Sequence, residues 1–124
     1  MERKRIEEFS VDGKNFIYLD WSGIKSNEEF TRAINEMELA IAQYPEQSLY
    51  TITNIENVRF DTESKEIVAR HMKLNKPYVK YGAVIGLDGI KKTMINTLLK
   101  LSERDNMFFA FTKAQAIELL LQQE

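Results

Sequence analysis

In the stretch YVKYGAVIGLDGIKK, three glycines are followed closely by two adjacent lysines. A glycine-rich turn between a strand and a helix can bind a phosphate through the free backbone N–H groups at the start of the helix. Gly82 and Gly86 are expected inside the strand, and their spacing to Gly89 matches neither the dinucleotide-binding pattern nor the Walker pattern. The stretch therefore predicts a structural turn, and the alternative is an anion or ligand contact at Gly89, Lys91 and Lys92.

A second candidate site is the acidic and hydroxyl-bearing stretch VRFDTESKE, which precedes a predicted helix. A phosphate on Thr62 or Ser64 would lie at the positive end of the helix dipole, as a phosphorylation switch or partner contact requires. The alternative is capping, in which Asp61 or a hydroxyl accepts a backbone N–H of the first turn. Because Glu63 and Glu66 would repel an added phosphate, capping is the favoured interpretation.

Residues able to catalyse a reaction or hold a metal are sparse. The chain has one histidine and no cysteine, which excludes thiolate metal sites and cysteine nucleophiles. His71 shares a predicted helix face with Ile67 and Val68, and we expect it to be partly buried with one hydrogen bond. Glu7 and Glu8 would point to opposite faces of a strand, so they form no acid–base pair. The sequence predicts no catalytic residue, no metal and no cofactor.

Length and composition are those of a globular domain. The chain has 124 residues, of which 44% are hydrophobic and 29% charged. It contains neither a signal-peptide core nor the ~20 consecutive apolar residues that a membrane-spanning helix needs. We predict one domain over residues 1–124, soluble and cytoplasmic.

The net charge of −2 is unevenly distributed along the chain. Residues 70–104 hold eight Lys or Arg against only Asp88 and Glu103, while the rest of the chain is acidic. Such a basic segment can attract an anionic partner, although a solvated helix face is the favoured interpretation. Nucleic acid is an improbable partner, because no binding motif is present and the isoelectric point is about 5.6.

Hydrophobic periodicity and turn residues predict the order ββαβαβαβα. Strands are predicted near residues 5–11, 15–21, 48–55, 79–87 and 106–111. The predicted helices follow caps at Ser26, Asp61 or Thr62, Asp88 and Thr112, and end near Pro45, Asn75, Ser102 and Gln122. This order indicates an α/β domain with a mixed, mostly parallel five-stranded sheet and four helices. An antiparallel hairpin around Asp12-Gly13 would form one edge of the sheet.

The third predicted helix is apolar around an unusual share of its circumference. A core-facing stripe is predicted at Ile90, Met94, Thr97, Leu98 and Leu101. Two further apolar residues, Ile95 and Leu99, lie beside this stripe and widen it. Either neighbouring helices cover these side chains, or an exposed apolar strip contacts a partner chain, a second copy or a lipid. Nearby Lys91, Lys92 and Lys100 would suit an anionic head group or an acidic protein.

Several stretches together resemble a known family. They are IYLDWSG, SLYTITNIENVRFDTES, NKPYVKYGAVIGLDGIKK and NTLLKLSERDNMFFAFTKAQAIELLL. From about Phe9 to Gln122 the chain resembles the STAS-like proteins, domains related to the antagonists of bacterial anti-sigma factors. It is most similar to their small single-domain branch, also described as lipid-transfer-domain-like. The resemblance implies a mixed sheet wrapped by helices, and binding to another protein rather than catalysis.

In the signalling branch of that family, a phosphorylated serine lies in an Asp-Ser-Ser-Gly turn at the start of a helix. Thr62 and Ser64 lie in the matching region here, but the glycine is missing and Glu63 intervenes. The resemblance therefore argues against a phosphorylation switch.

The sequence thus predicts a non-enzymatic, STAS-like regulatory domain that binds a protein partner through Asp61, Thr62 and Ser64 and the neighbouring turn at residues 87–92. The sequence leaves open whether the protein forms a homodimer. The first alternative is a small carrier or sensor for an anionic or lipid-like ligand, and the second is an uncharacterised enzyme.

Overall fold

A computed structural model describes residues 4–123 of the chain. The elements are β1 (Ile6–Val11), β2 (Lys14–Asp20), α1 (Asn27–Ile41), β3 (Leu49–Asn54), α2 (Thr62–Asn75), β4 (Val79–Ile85), α3 (Gly89–Leu101), β5 (Met107–Phe109) and α4 (Lys113–Leu121). This is the predicted order ββαβαβαβα.

The strands form one five-stranded sheet in the order β1-β2-β3-β4-β5. β1 is antiparallel to β2, and each later strand is parallel to its predecessor. The hairpin turn uses Asp12 and Gly13 at φ angles of 51° and 77°, the left-handed conformation that tight hairpins require. The predicted fold class, a mixed and mostly parallel sheet with an antiparallel edge hairpin, is confirmed.

The helices cover the two faces of the sheet unequally. Buried side chains of α1, α2 and α3 pack with Ile17 and Leu19 of β2 in one core. Phe16 of β2 belongs to a second, smaller core on the other face, which α4 covers with Ala116 and Leu120. The alternation of Phe16 and Ile17 follows from the two-residue period of a strand.

A row of aromatic rings crosses all five strands on the face that α4 covers. The row runs Phe9, Phe16, Tyr50, Tyr81 and Phe108, with ring centroids 5.3, 5.2, 5.9 and 6.2 Å apart. Phe16 and Tyr50, at its centre, are almost fully buried. Aromatic pairs at these separations add stabilisation beyond the area that they bury.

The loops that lead into α2 and α3 touch each other at Gly86. We expected Gly86 inside the strand, but β4 ends at Ile85 and Gly86 has a φ of 80°. A Cβ atom there would lie 2.6 Å from both Asn54 Oδ1 and the backbone nitrogen of Glu56. Only glycine fits this contact, so Gly86 fixes where the two helices begin relative to each other.

Gly86→Ala is expected to lower the free energy of unfolding by more than about 2 kcal/mol, because it combines a left-handed φ with a collision against backbone. Gly13→Ala is the matched control: its φ is 77°, but a Cβ meets nothing within 4 Å. It should cost only about 1 kcal/mol. Urea denaturation of both variants measures the difference, and equal losses would show that the contact with Glu56 is unimportant.

Candidate functional site

α2 begins with a reciprocal capping box. Asp61 Oδ1 accepts a hydrogen bond from the Ser64 backbone N–H at 2.9 Å, and Ser64 Oγ accepts one from the Asp61 N–H at 2.6 Å. The Ser64 side chain is fully buried. The predicted capping by Asp61 is confirmed. Thr62, the first residue of the helix, is exposed and lies outside the box.

Asn27 ties the start of α1 to the start of α2. Its Nδ2 donates to Asp61 Oδ2 at 3.2 Å and to Glu63 Oε2 at 3.1 Å. The hydrogen bond from the Ser64 N–H, together with that from Asn27, lowers the pKa of the Asp61 carboxyl below its ordinary value. Asp61 is therefore an ionised cap at the positive end of the helix. The sequence pattern gave no sign of Asn27, because the contact joins residues far apart in the chain.

At the start of α3, Asp88 takes one of the backbone donors that an anion would need. Its Oδ1 accepts from the Lys91 N–H at 2.9 Å. Lys91 Nζ lies 3.5 Å from the Ile55 carbonyl oxygen, whereas Lys92 Nζ lies 5.4 Å above the Phe109 ring. The two lysines thus point to different neighbours rather than converging above Gly89. The anion contact at Gly89, Lys91 and Lys92 stays a prediction.

A groove runs between α2 and α3, and we call it the α2–α3 groove. Its larger part has a volume of about 490 Å³ and is lined by Lys65, Gly89, Ile90, Thr93, Met94, Thr97 and Leu98. An adjoining part of about 250 Å³ is lined by Phe60, Lys65, Asp88, Ile90, Lys91 and Met94. Lys65, Ile90 and Met94 line both parts, and the Ile90 side chain is 86% exposed. The groove therefore combines apolar side chains with the starts of two helices.

The predicted core stripe of α3 is wrong at Ile90 and Leu101 and right at Leu98. The helix buries Ile95, Leu98 and Leu99, while Ile90 and Leu101 are 86% and 73% exposed. Apolar residues occupy almost every side of this helix, so periodicity alone could not choose which side meets the sheet. The rotation that the structure shows places apolar side chains in the α2–α3 groove.

A buried polar cluster joins the other ends of α2 and α3, and we call it the Arg104 cluster: Glu38, His71, Asn75 and Arg104. Asn75 Nδ2 lies 3.1 Å from His71 Nε2, and Arg104 Nη1 donates to Asn75 Oδ1 at 2.7 Å. His71 is 3% exposed, more deeply buried than predicted, and makes the single hydrogen bond expected of it. Burial lowers the pKa of Arg104 to about 10.

Two further observations limit the chemistry of the described part of the chain. Among residues 4–123, no group of three His, Asp or Glu side chains is placed to hold a metal ion. No helix within the same residues is long and apolar enough to cross a bilayer.

No protein-family model and no curated protein matches the sequence. The structure is similar to a solved protein of Planctomyces limnophilus described as an anti-sigma-factor antagonist (STAS) domain protein. The TM-score is 0.62, and the match covers 94% of this chain and 98% of that one at 13% sequence identity. The chain therefore has the fold of a STAS domain, as the sequence resemblance predicted.

Ser64→Ala is expected to lower the free energy of unfolding by about 1 kcal/mol, because the Asp61 N–H loses its acceptor. Thr62→Ala, two residues away and outside the capping box, is the control and should stay within about 0.5 kcal/mol of the parent. Chemical denaturation followed by circular dichroism makes the comparison. A larger loss for Thr62→Ala than for Ser64→Ala would contradict this account of the helix start.

Proposed function

We propose that this chain is a non-enzymatic interaction domain that binds a partner protein at the α2–α3 groove. The observation that carries the proposal is Ile90, an isoleucine 86% exposed in the middle of an apolar groove. A large apolar side chain at such a position gains free energy when a partner covers it. The capped starts of α2 and α3 flank it with polar groups, as the rim of a protein interface requires.

The similarity of fold to a solved protein supports a proposal about the class of protein that binds here. The solved neighbour is described as an anti-sigma-factor antagonist domain protein. By analogy we propose that the partner is a regulatory protein of the anti-sigma-factor type, and that the domain acts in the cytoplasm. Function does not follow from fold alone, so the groove and its residues carry the proposal.

The residues proposed to meet the partner at the start of α2 are Asp61 and Thr62. Both are exposed, whereas the Ser64 hydroxyl is buried in the capping box. We assign Ser64 to holding the helix start in place for the other two. A bulky negative charge at Thr62 would change the surface next to the groove without removing the cap.

A carrier of an anionic, lipid-like ligand is the second candidate function, and the size of the groove favours it. A volume of about 490 Å³ lies within the range of small-molecule sites. Lys65 lines both parts of the groove, so it is placed to meet an anionic head group. This assigns to Lys65 the role that the sequence suggested for Lys91 and Lys92.

A photo-crosslinking amino acid at position 90 tests the interaction proposal in cells that produce the whole chain. We expect one dominant adduct with a regulatory protein, identified by mass spectrometry. The matched control carries the crosslinker at Leu39, which is 69% exposed on α1, away from the groove, and should give no such adduct. A Thr62→Glu change in the position-90 protein should reduce the adduct several-fold.

Equal labelling from positions 39 and 90, or an adduct unaffected by Thr62→Glu, would contradict the proposed surface. An adduct between two copies of this chain would instead identify the groove as a homodimer interface.

The carrier candidate is tested by titrating the purified protein with a fluorescent long-chain fatty acid. Lys65→Glu should weaken binding roughly five- to tenfold, because it replaces an attractive charge at the groove with a repulsive one. Lys91→Glu should weaken binding less, since Lys91 Nζ lies near the Ile55 carbonyl oxygen. Absence of saturable binding to the parent protein would eliminate the carrier.

A further inference from the structure

Arg104 acts as a cap for the end of α2. Its Nη1 donates to the Met72 carbonyl oxygen at 3.0 Å and to Asn75 Oδ1 at 2.7 Å, and its Nε donates to Asn106 Oδ1 at 3.1 Å. The last carbonyl groups of a helix lack partners within the helix, and a cation there also complements the dipole. The same residue closes α3, because its backbone N–H donates to the Leu99 carbonyl oxygen at 2.9 Å.

The contact with Arg104 fixes which way the Asn75 amide faces. A guanidinium can only donate hydrogen bonds, so the amide oxygen must face Arg104 and the NH2 group must face His71. The NH2 group lies 3.1 Å from His71 Nε2, which must therefore be the accepting nitrogen. The ring is neutral, and its proton is on Nδ1.

The other side of the imidazole faces a carboxylate. His71 Nδ1 lies 3.7 Å from Glu38 Oε1, and neither of these buried atoms has a hydrogen-bond partner within residues 4–123. The contact with His71 lowers the pKa of Glu38 below its ordinary value of 4.5. Glu38 is thus ionised at neutral pH, and its carboxylate faces the Nδ1 side of the ring.

A second proton on His71 cannot be accommodated without breaking a contact. Placed on Nε2, it would point at the Asn75 NH2 group, so two donors would face each other. If the Asn75 amide flips to accept this proton, its NH2 group faces the Arg104 guanidinium instead. Either the contact of Asn75 with His71 or its contact with Arg104 must be lost.

We propose that His71, Asn75 and Arg104 form a proton-operated latch between the ends of α2 and α3. With a neutral His71 the latch is closed; a second proton, placed on Nε2, opens it. Glu38 from α1 faces the ring directly, and Arg104 from the α3–β5 connection contacts Asn75. Arg70 acts on Glu38, and Asp105 acts on Arg104.

Protons can reach the latch from a surface pocket of about 180 Å³. The pocket lies between α1 and α2, and its lining includes Glu38, Asn75 and Tyr78. Trp21 packs edge-to-face against the His71 ring, with the two ring centroids 5.5 Å apart. Glu38 and Asn75 are the side chains beside the two ring nitrogens, so the pocket brings solvent to both neighbours of the almost fully buried His71.

The latch would regulate the α2–α3 groove, and this consequence rests on the proposed function. Arg104 holds α2 and α3 together at their carboxyl-terminal ends, whereas the groove runs along α3 from Gly89 to Leu98 and meets α2 near its start, at Lys65. Opening the latch removes the Asn75 contact and leaves Arg104 Nη1 bound to the Met72 carbonyl oxygen, which loosens the end of α3 relative to α2. The distance between Lys65 and Ile90 across the groove would then change.

Long-range nitrogen NMR of the full-length protein, labelled with ¹⁵N at His and Arg, tests the latch. At neutral pH we expect a protonated Nδ1 and a bare Nε2 on His71. When acid adds the second proton, the Arg104 Nη1 hydrogens, one of which donates to Asn75 Oδ1, should exchange with solvent roughly tenfold faster, the change expected for losing a hydrogen bond. In His71→Gln, which gains no proton, the Arg104 signal should persist over the same pH range.

Asn75→Asp is a second variant, in which a carboxylate can accept from Arg104 and from a charged His71 at once. There the Arg104 signal should survive protonation of the ring. A His71 that carries its proton on Nε2 at neutral pH would overturn the latch. So would an Arg104 signal in the parent protein that is insensitive to the charge of His71.

The Ile90 methyl resonance separates the latch from the proposed function. It should shift as His71 gains its proton in the parent protein, and stay fixed in His71→Gln. A fixed Ile90 signal in both proteins would overturn control of the groove. A moving Ile90 signal combined with failed crosslinking at position 90 would leave the latch standing and refute the interaction surface alone.

Discussion

The packing of several segments in this domain depends on one buried guanidinium. Arg104 is 8% exposed, and its acceptors in the described chain are neutral: Met72 O, Asn75 Oδ1, Asn106 Oδ1 and Met107 Sδ. A buried charge without hydrogen-bond acceptors costs several kcal/mol, so the segments that supply these atoms must converge on it. Those segments are the end of α2 and the start of β5. Asn106 extends the network to β4 by donating to the Val79 and Lys80 carbonyl oxygens.

The α2–α3 groove lies between two helices that are held in place at both ends. Arg104 joins their carboxyl-terminal ends, while Gly86 sets where the loops before α2 and α3 meet. Between these points α3 presents Ile90 outward, and the capping carboxylates of Asp61 and Asp88 stabilise the two helix starts. The surface that we propose for partner binding is thus supported by polar contacts at both ends of the helices, and the apolar groove lies between them.

Local signals predicted the elements well, because caps and turns act over three or four residues. Asp61, Asp88 and Thr112 each cap the helix assigned to them, and Asp12-Gly13 forms the hairpin turn. The features that the sequence could not predict are tertiary contacts between residues far apart in the chain. Arg104 meets Asn75 across 29 residues, and the rotation of α3 is ambiguous because the helix is apolar on most sides. The directions of Lys91 and Lys92 likewise depend on Ile55 and Phe109, which lie elsewhere in the chain.

The aromatic row across the sheet has a consequence for synthesis on the ribosome. Because the strand order follows the chain order, each new strand finds its neighbour already made, and the sheet can grow as the chain emerges. Within residues 4–123, the helix that covers the face carrying Phe16 and Tyr50 is α4, which follows all five strands in the chain. Until α4 has left the exit tunnel, the nascent chain exposes an apolar sheet face. During this interval a chaperone that shields hydrophobic surface could bind the exposed face. It would be displaced when α4 packs onto that face.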